Sequence, residues 1–156
     1  MTTDLPRDDG LVDMLSRVRR TIRDYLRTKH RVEDANQHPI AAILAARAVA
    51  DAARQDMLSH ARRARGAGVP WRDLAEPLGV DQSDTWVDPP GEAFRLVAGP
   101  PPMPYDPIYA TWSCASCEQV ITDSGPLAGH PTDAEKGHRD DCRRYANEIA
   151  AYEART

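Results

Sequence analysis

The residues with the clearest chemical potential are three cysteines and a histidine in the last third of the chain. Cys114 and Cys117 are separated by two residues, so two thiolates in one tight turn can reach a metal ion from the same side. His138 and Cys142 complete the pattern C-x2-C-x20-H-x3-C, and on a helix they would share one face. Three thiolates and one imidazole are a donor set that selects zinc over magnesium or calcium. We therefore predict one zinc ion held by Cys114, Cys117, His138 and Cys142.

The sequence leaves two alternatives to this ligand set open. His130, in a Gly-His-Pro loop, competes with His138 for the fourth position. A disulfide between Cys114 and Cys117 is the other alternative, although it would leave the third cysteine unpaired. Four protein ligands leave no position for a water nucleophile, so the predicted zinc site is structural and has no catalytic residues. The sequence also lacks a Gly-rich phosphate loop and a Ser/His/Asp arrangement, and we do not expect an enzyme.

A turn and a helix must position these ligands. The segment TWSCASCEQVITD is typical of a turn with short flanking strands, and a helix is predicted over roughly residues 134–154. Together they define a small zinc-binding α+β unit over residues 109–156. A Pro-rich linker at residues 100–108 precedes it. The unit has too little apolar content to fold alone, so its folding is expected to depend on the metal.

The rest of the chain is predicted to be helical, which makes the fold class mainly α. Residues 1–10 are interpreted as a disordered lead-in and residues 11–99 as a helical region. An amphipathic helix begins at Leu11, and a long Ala-rich helix runs from Ile40 to about Arg65.

The segment at residues 58–98 resembles a helix-turn-helix unit. Ala75 lies four residues before Gly79, a combination that allows close helix approach followed by a sharp turn. The recognition helix cannot follow at once, because the next residues contain Pro89 and Pro90. We therefore place that helix at GEAFRLVAG, after a loop.

The C-terminal segment from Trp112 to Tyr152 resembles a small zinc-binding region in uncharacterised proteins of high-GC Gram-positive bacteria and their mobile elements. The resemblance rests on W-S-C-A-S-C, I-T-D-S-G-P and E-K-G-H-R-D-D-C-R-R. In such proteins the region follows a helical part with a Gly-x-x-Trp segment, here Gly68 to Trp71. The resemblance implies no activity. One departure is Glu118, where zinc knuckles usually place a glycine that eases the turn.

Charge is distributed unevenly along the chain, whose net charge is −4. Residues 1–66 contain thirteen Lys and Arg against nine Asp and Glu, whereas residues 67–156 contain seven against fifteen. The N-terminal half is therefore the part suited to an anionic surface. Four carboxylates near the displaced helix, Asp81, Asp84, Asp88 and Glu92, would oppose phosphate binding there. The candidate nucleic-acid-binding residues are Arg17, Arg20, Arg23, Arg27, Arg72 and Arg95.

These features predict a DNA-binding protein of the transcription-regulator type with a structural zinc site. The alternatives are a zinc-stabilised protein–protein interaction module, whose acidic second half docks on a basic surface, and an acidic DNA mimic. The apolar stripes of the long helices must be covered, either within the chain or by a second copy in a homodimer. No apolar run is long enough to span a membrane. No secretory signal is visible and the cysteines suit a reduced compartment, so we expect a cytoplasmic location.

Overall fold

A computed structural model describes residues 9–33, 38–81, 83 and 86–155. The fold is mainly α, as predicted, with a small antiparallel sheet in the C-terminal part. The helices are α1 (Asp9–Tyr25), α2 (Pro39–Gly66), α3 (Trp71–Ala75), α4 (Pro89–Ala98), α5 (Pro131–Ala134) and α6 (Arg143–Glu153). The strands are β1 (Ala110–Ser113), β2 (Val120–Asp123) and β3 (Glu135–Lys136). A π-helical turn (Leu26–His30) follows α1, and a 3-10 turn (Pro126–Ala128) precedes α5.

The chain divides into two compact units between Gln55 and Asp56. The Pro-rich residues 100–108, predicted to divide the chain, lie within the second unit. They connect α4 to β1, and Val97 of α4 shares one apolar core with Ala110 of β1. Of the predicted lead-in, residues 1–8 lie outside the described residues, whereas Asp9 and Gly10 begin α1. In the described parts of the chain, no helix has both the length and the apolar character that crossing a bilayer requires.

The first unit contains α1, the π-helical turn and the N-terminal part of α2. The apolar residues of α1 recur at helical spacing, which explains why this segment is helical. Leu26 and Ala45 are fully buried. Several large apolar side chains of this unit are exposed by more than a third: Met14, Leu15, Val18, Ile40, Ile43 and Leu44.

The second unit contains the apolar core of the helix-turn-helix-like segment. Trp71 of α3 packs edge-on against Phe94 of α4, with 5.4 Å between the ring centres. The remaining buried members of this core are Leu58, Ala61, Leu74, Ala75, Leu78, Ala93, Val97 and Ala110. The helix predicted at GEAFRLVAG is present as α4 and begins two residues earlier. Pro89 and Pro90 occupy its first turn, where a backbone N–H would have no intrahelical partner.

The three strands form an antiparallel sheet in the order β1-β2-β3. Trp112 of β1 lies opposite Ile121 of β2, and Asp123 of β2 lies opposite Glu135 of β3. The strands predicted on either side of the cysteine turn are therefore present. On the inner face, Trp112 and Ile121 are buried together with the three cysteines.

The single helix predicted over residues 134–154 is wrong. Residues 131–142 form α5, β3 and a loop, and α6 begins only at Arg143. Pairing of β3 with β2 takes residues 135 and 136 out of a helix. Gly137 then adopts a φ of +104°, and a Cβ there would lie 2.8 Å from the carbonyl oxygen of Val120. This conformation favours glycine and stops a helix from passing through the position.

Candidate metal centre

The first two cysteines lie in a tight turn between β1 and β2, here called the knuckle (residues 114–117). The N–H of Cys114 donates to the carbonyl of Gln119 at 2.9 Å, and the N–H of Glu118 donates to the carbonyl of Cys114 at 2.8 Å. Glu118 has a φ of +60°, the left-handed conformation for which knuckles usually use glycine. The departure noted in the sequence therefore falls on a residue with the backbone conformation that glycine favours.

Backbone N–H groups surround the sulfur atoms of the knuckle. Burial raises the pKa of the Cys114 thiol, although hydrogen bonds from the N–H groups of Cys117 and Ser116 oppose this effect. Burial also raises the pKa of Cys117, but hydrogen bonds from the N–H groups of Arg139 and Gln119, together with side-chain partners, bring it down to about 6. Cys117 is therefore suited to the thiolate form, which is the form that ligates metals.

The other two members of the cluster come from the loop after β3 and from the start of α6. Cys142 is the residue immediately before the first turn of α6, where the helix dipole favours negative charge. The prediction that His138 and Cys142 share one face of a helix is wrong, because His138 lies in the loop. Its ring stacks on Tyr145 at 4.3 Å between ring centres.

The four side chains meet in one buried cluster that can hold a metal ion. Their ligand atoms all lie within 4.8 Å of one another. Cys114 and Cys117 are 1% exposed and Cys142 is 3% exposed, while the His138 side chain is 2% exposed. None of the three cysteines forms a disulfide. His130 lies outside the cluster, where its Nδ1 hydrogen-bonds to Thr132 and its ring packs edge-on against Tyr152.

Two edges of this cluster match a tetrahedral metal site. The sulfur atoms of Cys114 and Cys142 are 3.7 Å apart, and the sulfur of Cys117 is 3.6 Å from Nδ1 of His138. Metal bonds of about 2.3 Å to sulfur and about 2.1 Å to nitrogen give tetrahedral edges of about 3.8 Å and about 3.6 Å. The donor set present therefore fits one ion with Nδ1 as the histidine ligand atom.

A buried charge network lies behind His138. Glu135, fully buried, accepts hydrogen bonds from Nε2 of His138 at 2.8 Å and from the guanidinium groups of Arg65 and Arg144. Burial alone would raise the pKa of Glu135, but the hydrogen bond from Arg144 and the charges of both arginines hold it below its usual value. Arg65 also donates to Asp123 at 3.2 Å and to Glu148 at 2.9 Å.

Sequence reasoning missed this network. Asp123 in addition accepts from the indole N–H groups of Trp71, at 3.1 Å, and Trp112, at 3.3 Å. Arg65 is 4% exposed, although we had counted it in the basic half of the chain. The available signals were a tryptophan five residues after Gly66, the last residue of α2, and an acidic residue at the end of a predicted strand. Neither signal identifies its partner.

The candidate nucleic-acid-binding arginines lie in both units. Arg17, Arg20, Arg23 and Arg27 are exposed in the first unit, on α1 and the following turn. In the second unit, Arg72 pairs with Asp73 at 3.4 Å and Arg95 pairs with Glu92. The side chains of Arg95 and Glu92 on α4 are 46% and 42% exposed, and the other residues of this helix are buried or half-buried. This helix therefore presents little surface with which to read bases.

Comparisons of the chain with protein-family models, with curated proteins and with solved structures found no match.

Proposed function

We propose that the protein binds DNA through phosphate contacts and that one structural zinc ion stabilises its second unit. The observation that carries the DNA-binding proposal is the arrangement of arginines in the first unit. Arg17, Arg20, Arg23 and Arg27 follow one another at intervals of three or four residues, so they share one side of the helix. Among the described residues, Arg20, Arg23 and Arg27 have no ion-pair partner, whereas Arg17 pairs with Asp13.

The arginines of the second unit are less suited to phosphate. The charges of Arg72 and Arg95 are each balanced by a neighbouring carboxylate. The small exposed surface of α4 argues against a recognition helix that reads bases in the major groove. We therefore propose contacts that follow the DNA backbone and depend little on its sequence.

A salt series with mixed-sequence duplex DNA tests the DNA-binding proposal. A plot of log K against log salt has a negative slope, and each lost phosphate contact makes this slope less steep by about 0.9. The triple variant R20Q/R23Q/R27Q should reduce the slope by up to about three such steps and weaken binding at low salt. The matched control R72Q/R95Q should bind like the wild type, because its arginines are already paired. Absence of wild-type binding at low salt, or equal loss in both variants, would contradict the proposal.

Zinc is the metal that best suits the cluster. Three thiolates and one imidazole favour zinc, and a shell of four buried protein ligands is typical of structural sites. The wild type should contain one equivalent of zinc by elemental analysis. Cys117→Ser should lose the metal and most of the helical signal of the second unit, while Ser113→Ala, an exposed neighbour on β1, should keep both. If Cys117→Ser retained one equivalent of zinc and its helical signal, the assignment would be wrong.

The exposed apolar side chains of the first unit favour a second candidate, which is a protein-interaction role that includes a homodimer. Such side chains gain free energy when a partner covers them. Sedimentation of the wild type over a range of concentrations tests this candidate, since a homodimer would show a mass that rises with concentration. A monomer at all concentrations would exclude self-association.

A further inference from the structure

The carboxylate of Glu135 lies between the proposed zinc ligand His138 and the end of helix α2. We propose that Glu135 is a positioning residue of the metal centre, and that zinc binding, acting through Glu135 and Arg65, holds the end of α2 and with it the core of α3 and α4. The inference rests on the proposed zinc site. It adds that the metal organises the whole second unit and not only the segment that carries the ligands.

Two contacts orient the ring of His138. Nδ1 of His138 faces the sulfur of Cys117, so Nε2 must carry the proton when Nδ1 ligates a metal. Nε2 lies 2.8 Å from Oε2 of Glu135, which accepts this N–H. Outer carboxylates of this kind fix the tautomer and orientation of a ligating imidazole. Glu135 therefore holds His138 in the orientation that ligation requires.

A series of hydrogen bonds connects Glu135 to the helical core. Its other oxygen, Oε1, accepts from Arg65, and Arg65 also donates to Asp123. Asp123 in turn accepts the indole N–H of Trp71 at 3.1 Å. Glu135, Arg65, Asp123 and Trp71 are all buried, and the side chain of His138 is 2% exposed, so the series runs through the interior from the proposed metal ligand to the tryptophan that packs on α4. A buried polar network is stabilising only when each of its side chains is paired. If His138 lost its position at one end, the hydrogen bonds of the remaining side chains would therefore be weakened.

A backbone contact provides a second connection between the knuckle and α2. The N–H of Ala115, between the two knuckle cysteines, donates to the carbonyl of Gly66 at 3.0 Å. A Cβ on Gly66 would lie 2.1 Å from the carbonyl oxygen of Ser113, so the last residue of α2 lies directly against the knuckle. Opening of the knuckle after metal loss would remove this contact together with the one through Arg65.

Zinc affinity, measured with the full chain by competition with a chelator, tests the role of Glu135. Glu135→Gln keeps the size of the side chain but removes the charge that pairs with both arginines, and it should weaken zinc binding by about 10- to 100-fold. Glu92→Gln, an exposed glutamate on α4, is the matched control and should bind zinc like the wild type. Equal affinities in all three proteins would overturn the positioning role.

Two measurements on the wild type apply even when Glu135→Gln does not fold. Nitrogen NMR of the zinc-loaded protein should show His138 with Nδ1 bound to the metal and Nε2 protonated. Removal of zinc should abolish hydrogen-exchange protection in residues 71–75 and 89–98, which contain no ligand. A metal bound to Nε2, or protection of these helices that survives zinc removal, would overturn the inference while leaving the zinc site in place. A wild type that binds no zinc would instead overturn the proposed site itself.

Discussion

Three arginines of the first unit and two of the second have opposite environments. In the first unit, Arg20, Arg23 and Arg27 are exposed, and none of them has an ion-pair partner among the described residues. In the second unit, Arg65 is 4% exposed and the Arg144 side chain 8% exposed, and both are surrounded by carboxylates. The same side-chain type therefore serves as a solvent-facing charge on α1 and the following turn, and as part of the folded core at Arg65 and Arg144.

This difference teaches that positive charge in the sequence is not a measure of positive surface. Arg65 contributes to the net charge of residues 1–66, but Asp123, Glu135 and Glu148 neutralise it inside the second unit. The first unit buries few large side chains and keeps its charges outside, which suits a binding surface. In the second unit, buried ion pairs and the cluster of three cysteines and His138 supplement a modest apolar core.

The largest effect on stability should separate these two kinds of arginine. Arg65→Gln leaves Asp123 and Glu135 buried without their shared cation, and it should lower the free energy of unfolding of the second unit by about 3–5 kcal/mol. Arg23→Gln removes only a solvated charge and should change stability by less than about 0.5 kcal/mol. Urea unfolding of both zinc-loaded variants, followed by far-UV circular dichroism, measures the difference, because the helical signal comes from both units. Similar losses in the two variants would show that burial of Arg65 is not what distinguishes the units.

Local sequence patterns predicted much of the fold and brought together the right members of the candidate site. Periodicity located the long helices, and cysteine spacing picked out the four side chains that cluster. The spacing of His138 and Cys142 was misleading, since three intervening residues fit a helix as well as a loop. Strand pairing and the conformation of Gly137 decided between the two.

The buried network could not be predicted in this way, because its members are far apart in the chain. Arg65 is separated from Asp123 by 58 residues and from Glu135 by 70. Nothing local distinguishes Arg65 from Arg62 or Arg63 on the same helix. Only the packing of α2 against the sheet selects it. Contacts of this kind depend on tertiary structure that propensity and periodicity do not specify.

A smaller loss of stability is expected at the contact between α2 and the knuckle. Gly66→Ala should favour the isolated helix by up to about 1 kcal/mol, because alanine has the higher helix propensity. Its Cβ would nevertheless collide with the carbonyl oxygen of Ser113, a backbone atom that cannot rotate away. We expect a net loss of about 1–3 kcal/mol in urea unfolding. A gain in stability would mean that this contact does not hold α2 against the sheet.

The smallest effect, and the one expected gain, concerns Glu118. Its left-handed backbone conformation costs a non-glycine residue about 1–2 kcal/mol, part of which glycine loses again through the greater freedom of the unfolded chain. Glu118→Gly should therefore stabilise the zinc-loaded second unit by about 0.5–1 kcal/mol in urea unfolding. Glu118→Ala is the matched control, since it removes the exposed carboxylate but retains the unfavourable conformation, and it should give no gain. Equal gains in both variants would assign the effect to the charge. A gain in Glu118→Gly alone would assign the effect to the backbone conformation of residue 118. The packing around the adjacent knuckle would then be what holds Glu118 in this unfavourable conformation.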